Sequence, residues 1–127
     1  MKVMLVDEEG ALRLRLGEAL LETAGIELTL CPPDCGPEHD AVFAQVRRLV
    51  PDVVVLDVSM PAGGALGLIG RIKSLEHSPA VIAVSAASSA AYRTLCGRAG
   101  AEYFFDLTRE REELTLAMSR LKREMGC

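Results

Sequence analysis

Three acids in a row, Asp7, Glu8 and Glu9, follow the apolar stretch KVMLV, and one carboxylate, Asp57, interrupts the apolar run of VVVLDVSMP. Ser85 closes AVIAVS in the same way, and Asp106 closes EYFFD. A carboxylate isolated in apolar surroundings is costly, so it must sit at a surface edge, be paired, or hold a cation. Carboxylates gathered together repel one another, and without a cation at least one would take up a proton. A hard divalent ion such as Mg²⁺, held by oxygen ligands, relieves that repulsion. A carboxylate beside such an ion is also placed to attack a phosphoryl group. This chemistry makes Asp57 a candidate phosphoryl acceptor and Asp7, Glu8 and Asp57 a candidate Mg²⁺ set.

Other chemistries fit the residues less well. A hydrolase with an aspartyl nucleophile usually carries a second acid two residues on, where this chain has Ser59. A dinucleotide-binding turn needs G-x-G-x-x-G after the first strand, and VDEEGALRLRLG offers only Gly10 and Gly17. The serine-hydrolase pattern G-x-S-x-G is absent. Cys31 and Cys35 bracket CPPDC, a spacing that is neither the redox C-x-x-C nor half of a paired zinc site, with only His39 near enough to join them. They read as reduced thiols in a polar loop. Cys96 reads as part of a helix core, and Cys127 as a free terminal thiol.

The elements that must position these groups alternate along the chain. Residues 2–6 form a short apolar strand. Leu12, Leu16, Ala19 and Leu20 recur at helical spacing over 11–24, with Gly25 as the stop. A second strand covers 26–30, CPPDCGPEH is a loop, and Val42, Val46 and Leu49 mark a helix over 41–49. A third strand starts at Val53. PAGGALG leads into a helix ending near Leu75, and AVIAVSA is a fourth strand. Ser88 or Ser89 caps the next helix, which carries Ala91, Leu95, Cys96 and Ala99 and stops at Gly100. EYFF is a fifth strand, and Thr108 caps a last helix with Leu114, Met118 and Leu121 as its inward stripe. Near-continuous apolar strands with helical crossovers predict an α/β fold, a doubly wound parallel sheet with helices on both faces. Polar residues at the carboxyl ends of such strands gather at one edge of the sheet, where ligands bind.

With 127 residues the chain fits a single domain over 1–127, half hydrophobic and a quarter charged. Aromatics make up only 4%, so Val, Leu, Ile and Ala must build the core. A net charge of −4 argues against a broad nucleic-acid footprint. No stretch resembles a signal peptide or is long enough to span a bilayer, so a cytoplasmic protein without membrane attachment is expected.

KVMLVDEE, VVVLDVSMP, VIAVSA and AGAEYFFD, in this order and spacing, resemble the receiver domain of bacterial two-component response regulators over essentially the whole chain. YRTLCGRAGAEYFFD is most similar to stand-alone receivers that end in Phe-Phe-Asp-Lys-Ser. The resemblance implies a five-stranded, flavodoxin-like sheet in the order 2-1-3-4-5, with phosphorylation at Asp57. It implies Mg²⁺ held by Asp7, Glu8, Asp57 and the backbone carbonyl of Ser59, with Glu8 one methylene longer than the usual Asp. Ser85 matches the hydroxyl that bonds the phosphoryl group, Ala86 its small neighbour, and Phe104 the aromatic switch position. Ala65 stands where many members have Gly. The implied partners are a sensor histidine kinase or phosphotransfer protein and a downstream protein, met through a surface spanning roughly 90–123. No enzymatic activity and no nucleic acid are expected. One departure matters most: Leu107 stands where the family places a Lys that pairs with phosphoryl oxygens. The alternative that follows is a degenerate receiver, used as a phosphorylation-independent protein-binding module.

Overall fold

Runs such as VMLV, VVVL and VIAV have no polar face to offer, so each of these strands must be covered on both sides. A computed structural model describes residues 1–6, 16, 25–31, 39–58, 64–85 and 90–125. Five strands, β1 (Lys2–Val6), β2 (Glu27–Cys31), β3 (Val53–Asp57), β4 (Ala80–Ser85) and β5 (Tyr103–Asp106), form one sheet in the order β2-β1-β3-β4-β5. Every pairing is parallel. The described helices are α1 (Asp40–Leu49), α2 (Ala65–Lys73), α3 (Ala90–Ala99) and α4 (Arg111–Glu124). The helix expected over 11–24 lies outside the described residues apart from Leu16, which is helical and buried.

Alternation along the strands divides the core in two. Met4, Val6, Val54, Leu56, Val81, Ala83 and Phe104 face α1, α2 and α3. Val3, Leu5, Val53, Val55, Ile82, Val84, Phe105 and Leu107 face α4 and Leu16. The expected stripe of the last helix, Leu114, Met118 and Leu121, is buried in this second cluster.

Several local expectations shift. The second strand runs one residue later than 26–30, because Glu27 pairs with Lys2 and Cys31 with Val6. Cys31 is therefore a strand residue packed in the core, not a loop thiol, and burial pushes its pKa up. Leu95 is 43% exposed, whereas Cys96 is buried and Ala99 partly so. Adjacent helical positions point about 100° apart, so Leu95 cannot share the inward stripe with Cys96. The fifth strand begins at Tyr103, one residue later than EYFF, and ends at Asp106 as expected, where it pairs with Ser85. Ser88 and Ser89 lie outside the described residues.

Helix ends explain two backbone features. Gly100 follows α3 at φ 116°, and a Cβ there would meet Lys73 Cγ at 2.9 Å, so the position demands glycine. Val50 ends α1 in the left-handed region at φ 47°, ψ 59°, its N–H donating to the Val46 carbonyl. A β-branched residue is strained there, and at 59% exposure its side chain recovers little by burial. Val50→Gly should therefore stabilise the fold by about 0.5–1 kcal/mol, after the extra chain entropy of glycine is subtracted. A urea midpoint that does not rise would refute this.

Candidate functional site

The carboxyl ends of β3, β4 and β5 bring three of the anticipated polar residues side by side. Asp57 is the last residue of β3, partly exposed, and pairs with Val84. Ser85, 3% exposed, is the last residue of β4 and pairs with Asp106, also 3% exposed, at the end of β5. Neighbouring strands lie about 4.8 Å apart, so the three residues span two strand spacings. The ladder continues past them: the Val58 N–H donates to the Val84 carbonyl at 3.0 Å, and the Leu107 N–H to the Ser85 carbonyl at 2.9 Å. These bonds hold the strand ends in register.

Strand parity separates the side chains. Asp57 shares the parity of Val53 and Val55, on the α4 side, while Ser85 and Asp106 share that of Val81, Ala83 and Phe104. Asp7 and Glu8 follow Val6, whose partner on β3 is Leu56, but they lie outside the described residues, as do Ser59 and Ala86. Among the described residues no three His, Cys, Asp or Glu groups come together as a metal set.

Asp106 closes its own turn. Its Oδ1 accepts from the Thr108 N–H at 2.8 Å and from the Thr108 hydroxyl at 2.6 Å. Thr108 is thus not the cap of the last helix, as its position suggested. The helix starts at Arg111 after Glu110, and the nearby buried carboxylate has taken the hydroxyl as a donor.

Leu107 is 2% exposed and packs in the cluster that holds Val84, Phe105 and Leu114. Its side chain shares the sheet face of Asp57, but it contributes apolar area and no charge there.

Phe104 is buried, and its surroundings contain residues that sequence reasoning missed. The Arg93 guanidinium lies over its ring, 5.1 Å from the centroid, and Arg93 Nη1 donates to the Phe104 carbonyl at 3.0 Å. Arg93 also forms an ion pair with Glu110, and Glu110 Oε1 accepts from the Asp106 N–H at 3.0 Å. One arginine of α3 and one glutamate before α4 thus bracket the end of β5. Glu110 was legible only as an acid favourable to a helix start. Arg93 carried no sequence signal, since its partners lie 11 and 17 residues away.

The Glu110 carboxyl is held below its ordinary value of 4.5, first by the hydrogen bond from the Asp106 backbone and then by Arg93. A depressed folded-state pKa stabilises the fold above the ordinary value, and that contribution is lost as pH falls through the folded value. Glu110→Gln keeps an acceptor and removes the charge. It should cost under about 1 kcal/mol at about pH 7, given the partial exposure of the pair. The difference between the two proteins should shrink between about pH 7 and a pH below that lowered value, where both side chains are neutral. Urea midpoints that differ equally at both pH values would contradict this.

Comparison with known proteins agrees with this architecture. The family model described as the response regulator receiver domain matches residues 3–119. An uncharacterized response regulatory protein of Yersinia pestis is 32% identical over 98% of this chain and 50% of its own length. A protein-glutamate methylesterase/protein-glutamine glutaminase of Xanthomonas oryzae pv. oryzae is 33% identical over 74% of this chain and 25% of its own length. The chain thus spans half or less of these curated relatives. Among solved structures, the signal receiver domain of a DNA-binding response regulator from Colwellia psychrerythraea superposes with a TM-score of 0.81 at 19% identity, covering 97% of this chain and 98% of that one. A response regulator from Thermotoga maritima superposes with a TM-score of 0.75 at 23% identity, covering 94% of this chain and 95% of that one. With the five-stranded order, the polar strand ends and a family match over residues 3–119, the chain belongs to the response regulator receiver domain family.

Proposed function

We propose that Asp57 accepts a phosphoryl group and that the chain passes this signal to a partner protein. The observation that carries the reading is the placement of Asp57 and Ser85 at the carboxyl ends of adjacent, register-paired strands. The carboxylate of one and the hydroxyl of the other suit the two sides of a transferred phosphoryl group. In the transfer, an Asp57 carboxylate oxygen bonds to phosphorus while the bond from phosphorus to the donor breaks. The leaving group, an imidazole nitrogen of a histidine kinase or phosphotransfer protein or the oxygen of a small acyl phosphate, departs with the electron pair. The Ser85 hydroxyl donates to a phosphoryl oxygen, and the Arg93 stack on Phe104 gives strand β5 a defined state from which to respond.

The donor set fits a hard divalent ion. Asp57 is a partly exposed oxygen donor, and Asp7, Glu8 and the Ser59 carbonyl would by residue type add only oxygens, with no thiolate or imidazole among them. Mg²⁺ held there supplies positive charge against the phosphoryl oxygens and the crowded acids. Output runs through a protein partner on the surface of α3, β5 and α4, without catalysis by this chain. Among the described residues no helix is long and apolar enough to cross a membrane, and we place the protein in the cytoplasm.

A second reading has its own observation. Leu107 is a well-packed core residue at the position where a cation would meet the phosphoryl group, which favours a receiver that binds its partner without phosphorylation. Incubation with acetyl phosphate and Mg²⁺, followed by intact mass, decides between them. One phosphoryl adduct that disappears when EDTA replaces Mg²⁺ is expected. No adduct at any donor concentration would leave the phosphorylation-independent module.

A further inference from the structure

We propose that the edge strand β2 pairs antiparallel with β2 of a second copy of this chain, about a twofold axis at Thr29. This pairing uses neither Asp57 nor the α3-β5-α4 surface.

β2 stands at one end of the strand order, and among the described residues no strand lies beyond it. The Glu27 N–H donates to the Met1 carbonyl at 2.8 Å, so Glu27 turns its backbone groups toward β1. Backbone direction alternates along a strand. Thr29 and Cys31 therefore also face β1, while Leu28 and Leu30 aim their N–H and C=O groups outward. Such an outward row is a template for another strand. Its usual protections are few here, since β2 holds no proline and its one charge, Glu27, stands at the first position. Leu30, 43% exposed, puts an apolar side chain at the open edge.

The order of residues in β2 suits its own reverse. Antiparallel pairing centred on Thr29 sets position 28 opposite 30 of the other copy, 29 opposite 29, and 27 opposite 31. Leu28 and Leu30 then exchange both backbone hydrogen bonds, and the symmetry repeats the exchange. Thr29 meets its own copy at the close-set position between those bonds, where a threonine pair is favourable. A centre elsewhere leaves part of the five-residue strand without a partner. Opposed side chains share a sheet face, so each Leu30 lies against a Leu28 of the other copy.

The opposite face carries the charges. Glu27 of the second copy arrives beside Cys31, which borders a groove of about 260 Å³ that Arg48 of α1 also lines. Arg48 Nη2 donates to Gln45 at 2.7 Å within its own helix. Neither Arg48 nor Glu27 forms an ion pair among the described residues. Each copy thus offers a cation on the face where the other brings a carboxylate. Two short strands bury little area, so the association is weak, with a dissociation constant on the order of 0.1 mM.

Sedimentation of the full chain under reducing conditions tests this without Mg²⁺ or a phosphodonor, so its failure leaves the phosphoacceptor reading untouched. Between about 10 µM and 1 mM, in low salt to limit screening, the weight-average mass should rise from monomer toward dimer. Thr29 is exposed, so T29K and T29E should both fold. Each should weaken association at least about tenfold, because a residue on the axis faces its own copy and like charges oppose. An equimolar mixture of the two should recover association, since lysine then faces glutamate. A chain that stays monomeric throughout overturns the proposal. So do T29K and T29E chains that associate like the parent, or a mixture that associates no better than its components.

Discussion

Asp57→Asn is expected to abolish phosphoryl-adduct formation, with a rate at least about a thousandfold below that of the parent chain. The carboxamide has nearly the shape of the carboxylate but lacks its charge, and its oxygen is a poor nucleophile toward phosphorus. Asp57 is partly exposed at the end of β3, so the exchange removes no core packing and should move stability by less than about 1 kcal/mol. The loss would then belong to the chemistry and not to the fold. Intact mass after incubation with acetyl phosphate and Mg²⁺, beside a urea midpoint, measures both. An adduct that persists in the variant would assign phosphorylation to another residue and remove Asp57 from its proposed role.

Leu107→Lys should have two large and opposed effects. The leucine is 2% exposed in the cluster of Val84, Phe105 and Leu114, and losing that burial costs about 1.5–3 kcal/mol. Part of this returns, because the apolar stem of lysine can keep the same contacts while the ammonium reaches the polar strand ends. There the cation supplies what the family's Lys supplies, a charge-assisted hydrogen bond to a phosphoryl oxygen worth about 1.5–3 kcal/mol. Adduct formation should therefore rise about ten- to a hundredfold even as the urea midpoint falls. Amide exchange across residues 85–108 should shift more on phosphorylation, since more contacts then differ between the two states. Leu107→Met separates the effects: it preserves volume, should cost under about 1.5 kcal/mol, and should bring no gain in adduct. If Leu107→Lys leaves both rate and exchange unchanged, the site already draws its positive charge from another group.

The network at β5 bears on how a signal would travel. Arg93 meets the carbonyl and the ring of Phe104 and pairs with Glu110, which in turn holds the Asp106 backbone. A shift of the β5 backbone near Phe104 therefore alters contacts on both α3 and α4. Those two helices and β5 make up the surface on which a partner is proposed.

The five strands, the described helices and the polar residues that end the strands were legible in the chain, because each rests on local spacing. Runs such as VVVL leave no polar face, glycine at 25 and 100 supplies the positive φ that ends a segment, and Asp57, Ser85 and Asp106 stand where apolar runs stop. Strand order came from the family resemblance, since alternation says which residues share a face but not which strand lies alongside. The rest needed the fold. Leu95 and Cys96 are equally apolar neighbours, and only the position of the sheet selects Cys96 for the core. Thr108 suits a helix cap by type, but the helix begins only at Arg111, and the hydroxyl donates to Asp106 two residues back. Arg93 and Glu110 are ordinary surface charges in the sequence, and they meet around β5 only because α3 and the start of α4 pack against the same strand. Local pattern encodes the parity and period of each element, whereas a hydrogen bond or ion pair depends on which donors and acceptors the assembled elements bring within reach.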